Sequence, residues 1–168
     1  MSTPANRSLA LGFLHVRRSS PEVFRGGYLL TTEYGRPIEF HYSSEVSVPR
    51  SHQVLFGKQF EPLLSAEVLA KPMTDRQSTA PRLILVDTPA LLDLRRLIPA
   101  PVVLLSTVEE GGESKLKPQS HPDFEKDLAA FEKIRTLVPP GLDWMEPFQR
   151  IEEALAEIRE PSLSFHAA

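Results

Sequence analysis

The residue best placed for chemistry is Asp87, which closes the apolar run Leu83-Ile84-Leu85-Val86 and precedes Thr88-Pro89. A carboxylate at the end of a buried strand, just ahead of a helix, stands where open α/β sheets bind ligands and where backbone N–H groups are free. Asp and Thr beside proline also cap helices and do nothing else, so a site and a cap both remain open. A second set lies on the run Ile38–Val46, where Glu39, His41 and Glu45 alternate with apolar residues and therefore share a face, with Glu33 on the neighbouring run. An imidazole among carboxylates suits a metal ion or proton transfer, although alternation alone also puts polar residues on a solvated face. Tyr34 and Arg36 stand at the turn between the two runs and complete this candidate ligand-binding set. A third pattern interleaves Arg17, Arg18, Arg25, Arg36 and Arg50 with Tyr28, Tyr34 and Tyr42. Arginines that pair phosphates among rings that stack on bases can follow a nucleic-acid strand, which makes nucleic acid one candidate partner.

Other catalytic patterns are absent from the sequence. Gly57-Lys58 is followed by Gln59 and lacks the upstream glycine of a phosphate-binding loop. His15, His52, His121 and His166 are scattered without an H-E-x-x-H pair, and no G-x-S-x-G elbow occurs. Cysteine is missing altogether, which excludes thiolate nucleophiles, disulfide frameworks and the common zinc-finger spacings. With 19 Lys+Arg against 22 Asp+Glu the net charge is −3, so nothing draws the whole chain to phosphate backbones or anionic membranes.

The elements that must position these residues follow from length and patterning. A chain of 168 residues, 41% hydrophobic and 24% charged, closes one ordinary core. Its 16 prolines fall between apolar runs and so punctuate them. Residues 1–8 read as a flexible N-terminus. Leu9–Arg17 is apolar on both alternating faces, as in a strand covered on both sides. Gly27–Tyr34 and Ile38–Val46 read as a hairpin around Tyr34-Gly35-Arg36-Pro37, with Ile38, Phe40, Tyr42 and Val46 inward and Glu39, His41, Ser43 and Glu45 toward water or a partner. From an N-cap at Ser51, Val54, Leu55, Phe60, Leu63, Leu64, Val68 and Leu69 form a helical apolar stripe that Pro62 should kink. Lys71–Pro81 reads as a loop. Leu83–Val86, a short helix Ala90–Leu97 and Val102–Leu105 read as a compact crossover with parallel strands buried on both faces.

Residues 107–121, acidic and without periodicity, read as a flexible loop, and 161–168 as a tail. Between them, 122–160 reads as a helical hairpin, its seams set by Phe124, Leu128, Phe131, Ile134 and Leu137 and by Phe148, Ile151, Leu155 and Ile158. The pattern leaves open whether this hairpin packs on the sheet or offers its seam to another chain. No run approaches the roughly 18 apolar residues of a membrane span, and Leu9–Val16 lacks a cleavage site, so a soluble, cytoplasmic protein is expected.

The element order over residues 9–106 resembles the ribonuclease H-like fold: antiparallel strands, a helix, then parallel strands. The fold class expected is therefore α/β, a mixed five-stranded sheet with flanking helices. That resemblance implies a divalent-metal site of Mg²⁺ or Mn²⁺ with Asp87 as one ligand and Glu61 or Glu67 as a second. Leu11, Phe13 and Leu14 occupy the stretch where the family's first carboxylate belongs, so the central ligand is missing. The segment Gly26-Gly27-Tyr28-Leu29-Leu30-Thr31-Thr32-Glu33-Tyr34-Gly35-Arg36-Pro37-Ile38-Glu39-Phe40 is similar to one in uncharacterised bacterial proteins of this size, a resemblance that implies no activity. The sequence expectation is a non-catalytic module with no cofactor that binds a protein partner or a second copy of itself. The alternative is a metal-dependent phosphodiesterase or nuclease-like enzyme.

Overall fold

A strand apolar at every position has no side that tolerates water, so Leu83–Val86 must lie between two other strands under cover on both faces. The computed structural model, which describes residues 9–159, places it there. The strands are β1 (Leu11–Ser20), β2 (Val23–Thr31), β3 (Pro37–Tyr42), β4 (Val46–Ser47), β5 (Leu83–Val86), β6 (Val102–Glu110) and β7 (Glu113–Ser120). They form one seven-stranded sheet in the order β3-β2-β1-β5-β6-β7, with β4 also pairing β2. β1, β2 and β3 are antiparallel, while β5 is parallel to both β1 and β6. This is the mixed, ribonuclease H-like order expected, with seven strands in place of five. The expectations for residues 1–8 and 161–168 lie outside the described residues.

The pleat divides the core in two. Leu11, Phe13, Leu85 and Val103 face α4 (Lys126–Arg135) and α5 (Glu146–Glu157), where they meet Phe131, Phe148 and Ile151. Phe13 and Phe148 pack edge to face at 5.5 Å, a favourable ring geometry. The C-terminal helices are therefore a layer of the domain, and the seam left open by the sequence is filled by the sheet. On the other face Leu14, Ile84, Val86 and Leu104 meet Ala66, Ala70, Met73, Leu91 and Leu94.

That second layer departs from a simple kinked helix. It runs through α1 (Arg50–Phe56), a 3-10 turn Gly57–Gln59, α2 (Phe60–Pro62), a π-helical stretch Leu63–Ala70 and α3 (Lys71–Asp75). Pro62 cannot donate a helical hydrogen bond and its ring crowds the preceding turn, and the wider π-helical ladder takes over directly after it. The helix thus continues to Asp75, inside the stretch read as a loop from Lys71. Ser51 is not the N-cap, since α1 starts at Arg50 without a side-chain cap. The crossover helix is a 3-10 helix, Pro89–Arg96.

Residues 107–121 are the largest correction. Instead of a flexible loop they extend β6 to Glu110 and return as β7, with Glu110 opposite Glu113. Gly111 and Gly112, at φ +62° and +80°, form the two-residue turn that such a hairpin requires. Both faces of this arm are largely exposed, so it carries no apolar alternation that would mark it as strand.

Candidate functional site at the strand ends

Asp87 does not cap the helix that follows it. No side chain bonds that helix N-terminus, and the Asp87 carboxylate turns instead to His15 on β1. The sheet register explains the meeting: Leu14 lies opposite Val86, so the next residue on each strand, His15 and Asp87, projects to the α5 face at the same level. His15 Nδ1 donates to Asp87 Oδ2 at 2.7 Å and His15 Nε2 donates to Glu152 Oε2 of α5 at 2.9 Å. A carboxylate oxygen only accepts, so an imidazole bonded to one at each nitrogen is an imidazolium. Burial works against that charge, but the bonds and the charges of Asp87 and Glu152 outweigh it and hold the His15 pKa above its ordinary 6.5. Arg17 Nε adds a second cation, 3.3 Å from Glu152 Oε1.

The chain's own cation thus stands between the two acids at the strand ends. Because Asp87 and Glu152 sit on opposite nitrogens of one ring, no single point reaches all three groups, and no set of three metal-ligating side chains exists among the described residues. Glu61 and Glu67 are not brought to Asp87. Both belong to the helical layer on the other face of the sheet, where Glu61 is 4.0 Å from Arg18 and Glu67 borders a groove. Phe13 and Leu14, buried in the two cores, offer no oxygen. The residues present therefore do not fit the divalent metal that the fold resemblance implies.

The hairpin set is divided. Glu39 accepts from His41 Nε2 at 2.9 Å, from the Ser78 amide at 2.9 Å and from the Thr79 amide at 2.6 Å. Burial alone would raise the Glu39 pKa, but the Ser78 amide, His41 and Thr79 bring it down to about 2. Tyr28 closes the same clasp, its hydroxyl donating to Gln77 at 2.6 Å and its ring stacked on His41. Burial, aided by the Glu39 charge, pushes that hydroxyl well above its ordinary pKa of 10. The loop 77–79 thus covers the face of β3 read as open to water or a partner. Tyr34, Arg36 and Glu45 stay exposed, and Ile38 and Tyr42, read as core, are more than a third exposed.

Sequence reasoning missed a surface on the second layer. Val54 and Leu55 are read as part of a buried stripe, yet they are 65% and 82% exposed, and the adjoining Phe56, which is not in that stripe, is 48% exposed. α1 is held instead by Gln53, its one buried residue, whose amide donates to the carbonyls of Pro21 at 2.9 Å and Val48 at 3.0 Å. Anchoring by a polar side chain turns the apolar ones outward. Beside this ridge runs a groove of about 490 Å³ bordered by Phe56, Pro62, Leu63 and Leu97. The only signal in the sequence is Gln53 itself, a polar residue inside an apolar stripe.

No helix among the described residues is long and apolar enough to cross a membrane. No protein-family model and no curated protein matches the chain. Among solved structures it is similar to Ciona intestinalis endonuclease V in complex with a 24mer DNA containing an inosine followed by a ribo-adenosine, at 15% identity and a TM-score of 0.37. That likeness covers 79% of this chain and 58% of the other. A variant of the same enzyme with a 23mer DNA is similar at 14% identity, over 79% of this chain and 58% of that one, with a TM-score of 0.36. This chain therefore spans little more than half the length of the enzyme it is similar to.

Proposed function

We propose that this chain is a non-catalytic α/β module that acts by binding a protein partner on the ridge of α1 and the groove beside it. The observation that carries the reading is the exposure of Val54, Leu55 and Phe56 in succession on one short helix. Scattered apolar residues on a surface need no explanation, but three consecutive apolar side chains exposed beside a groove of mixed apolar and charged lining have the form of an interaction site. The strand-end acids favour the non-catalytic half of the reading, since each has an oxygen bonded to a different nitrogen of His15 and the two do not converge on a common point.

The test places a photo-crosslinking residue at position 55 and, as a control on the opposite layer, at the exposed Ala129 of α4. In cells of the source, the expected result is an adduct of one discrete mass at position 55 and none at 129. No adduct at 55, or the same adducts at both positions, overturns the reading. Its non-catalytic half falls if the purified chain hydrolyses a simple phosphodiester with Mn²⁺ and loses that activity in Asp87→Asn.

A further inference from the structure

We infer that the partner is a second copy of this chain, joined about a two-fold axis so that each copy's α1 ridge fills the other's groove. The inference rests on the partner-binding reading above and gives the partner its identity. A two-fold interface uses one patch twice, so the patch must contain its own complement in shape and in charge. This one does. It presents a knob, Leu55 at 82% exposure, beside a hole of about 490 Å³ bordered by Phe56 and Leu97.

The charges are matched in the same way. The groove is bordered by two cations, Lys58 and Arg96, and two anions, Glu67 and Asp93. Two of the four are already engaged, Arg96 with Asp123 at 2.7 Å and Asp93 with His121 at 3.5 Å. The remaining two, Lys58 and Glu67, make no hydrogen bond or ion pair with the described residues, and they are of opposite sign. A strongly acidic or strongly basic partner would satisfy one and repel the other. A second copy satisfies both, with Lys58 of each copy meeting Glu67 of the other.

Sedimentation equilibrium of the full chain across micromolar to submillimolar concentrations tests this. The expected result is a monomer–dimer equilibrium that Leu55→Glu abolishes, with an unchanged circular dichroism spectrum because Leu55 is exposed. Lys58→Glu should weaken the dimer about tenfold by setting like charges opposite each other, and adding Glu67→Lys should restore it. A chain that is monomeric throughout, a dimer indifferent to Leu55→Glu, or a double charge reversal that restores nothing overturns the inference. A monomer that still gives a discrete heterologous adduct at position 55 overturns it while leaving partner binding intact; no adduct of any kind removes both.

Discussion

An imidazolium held between two carboxylates does the work of a small bridging cation, and here the bridge joins β1 and β5 to α5. Its sign fixes how the protein responds to pH. His15 binds its proton more tightly folded than unfolded, so the bridge contributes fully below the ordinary pKa of 6.5 and is lost as pH rises through the higher folded value. Melting temperature should therefore fall between pH 6 and pH 9, and His15→Gln should flatten that slope. His15→Ala, which leaves Asp87 and Glu152 without their shared donor, should cost about 1–3 kcal/mol in urea denaturation at pH 6. Glu39 works in the opposite direction. Its clasp on the 77–79 loop persists above 4.5 and is lost as pH falls toward about 2, so Glu39→Gln should reduce the loss of stability over that acid range. Asp87 is legible in the sequence as a strand-end carboxylate. Its partner is not, because His15 lies 72 residues earlier in the chain, and Glu152, the second carboxylate on that ring, lies 137 residues from His15. Only the pairing of β1 with β5 brings Asp87 to His15, and only the seating of α5 on the sheet brings Glu152 there; no spacing along the chain encodes either.

Elements differ in how openly their sequences declare them. β5 and the inner half of β6 are buried on both faces and therefore uniformly apolar, which is why Leu83–Val86 and Val102–Leu105 can be read directly. β7 has the opposite problem: Lys115, Lys117 and their neighbours are wet on both sides, so its strand character rests on the Gly111-Gly112 turn and on pairing with β6. α1 is obscured because a single glutamine does its anchoring. Glycines report the same contrast energetically. A Cβ on Gly27 of β2 would stand 2.4 Å from Ile151 Cγ2 of α5, whereas a Cβ on Gly112 meets nothing within 4 Å. Gly27→Ala must displace the Ile151 side chain from its seat on β2 and strain the packing of α5, and should cost about 1–3 kcal/mol in chemical denaturation. Gly112→Ala strains only a left-handed turn at the tip of an exposed arm, and should cost about 1 kcal/mol or less of global stability. If Gly27→Ala were the milder of the two, the close seating of α5 on β2 would be wrong.

At the scale of the whole molecule the sheet is a partition that needs both of its covers. Residues 9–106 read as the α/β domain, with the docking of the helical hairpin after it left open, and Leu11, Phe13, Leu85 and Val103 are roofed by Phe131, Ile134, Phe148, Ile151 and Leu155 from the two C-terminal helices. α4 is also tied to the opposite layer around the sheet edge. The buried Asp127 accepts from Arg95 of the crossover helix at 2.8 Å and from the Val102 amide at 3.2 Å. Breaking a buried pair by removing one member leaves the other uncompensated, which is costlier than never having formed it. Each roof side chain buried is worth about 1.5–3 kcal/mol, so the set removed with α4 and α5 is on the order of 10 kcal/mol, comparable to the entire stability of a domain this size. A chain ending at Ser106 should therefore fail to fold. It should lack near-ultraviolet dichroism, bind a hydrophobic dye and be cut rapidly by protease under conditions where the full chain resists. Cooperative unfolding of that fragment at ambient temperature would mean that the helical layer is an accessory, and that α5 delivers Glu152 to His15 without being needed to build the sheet on which His15 stands.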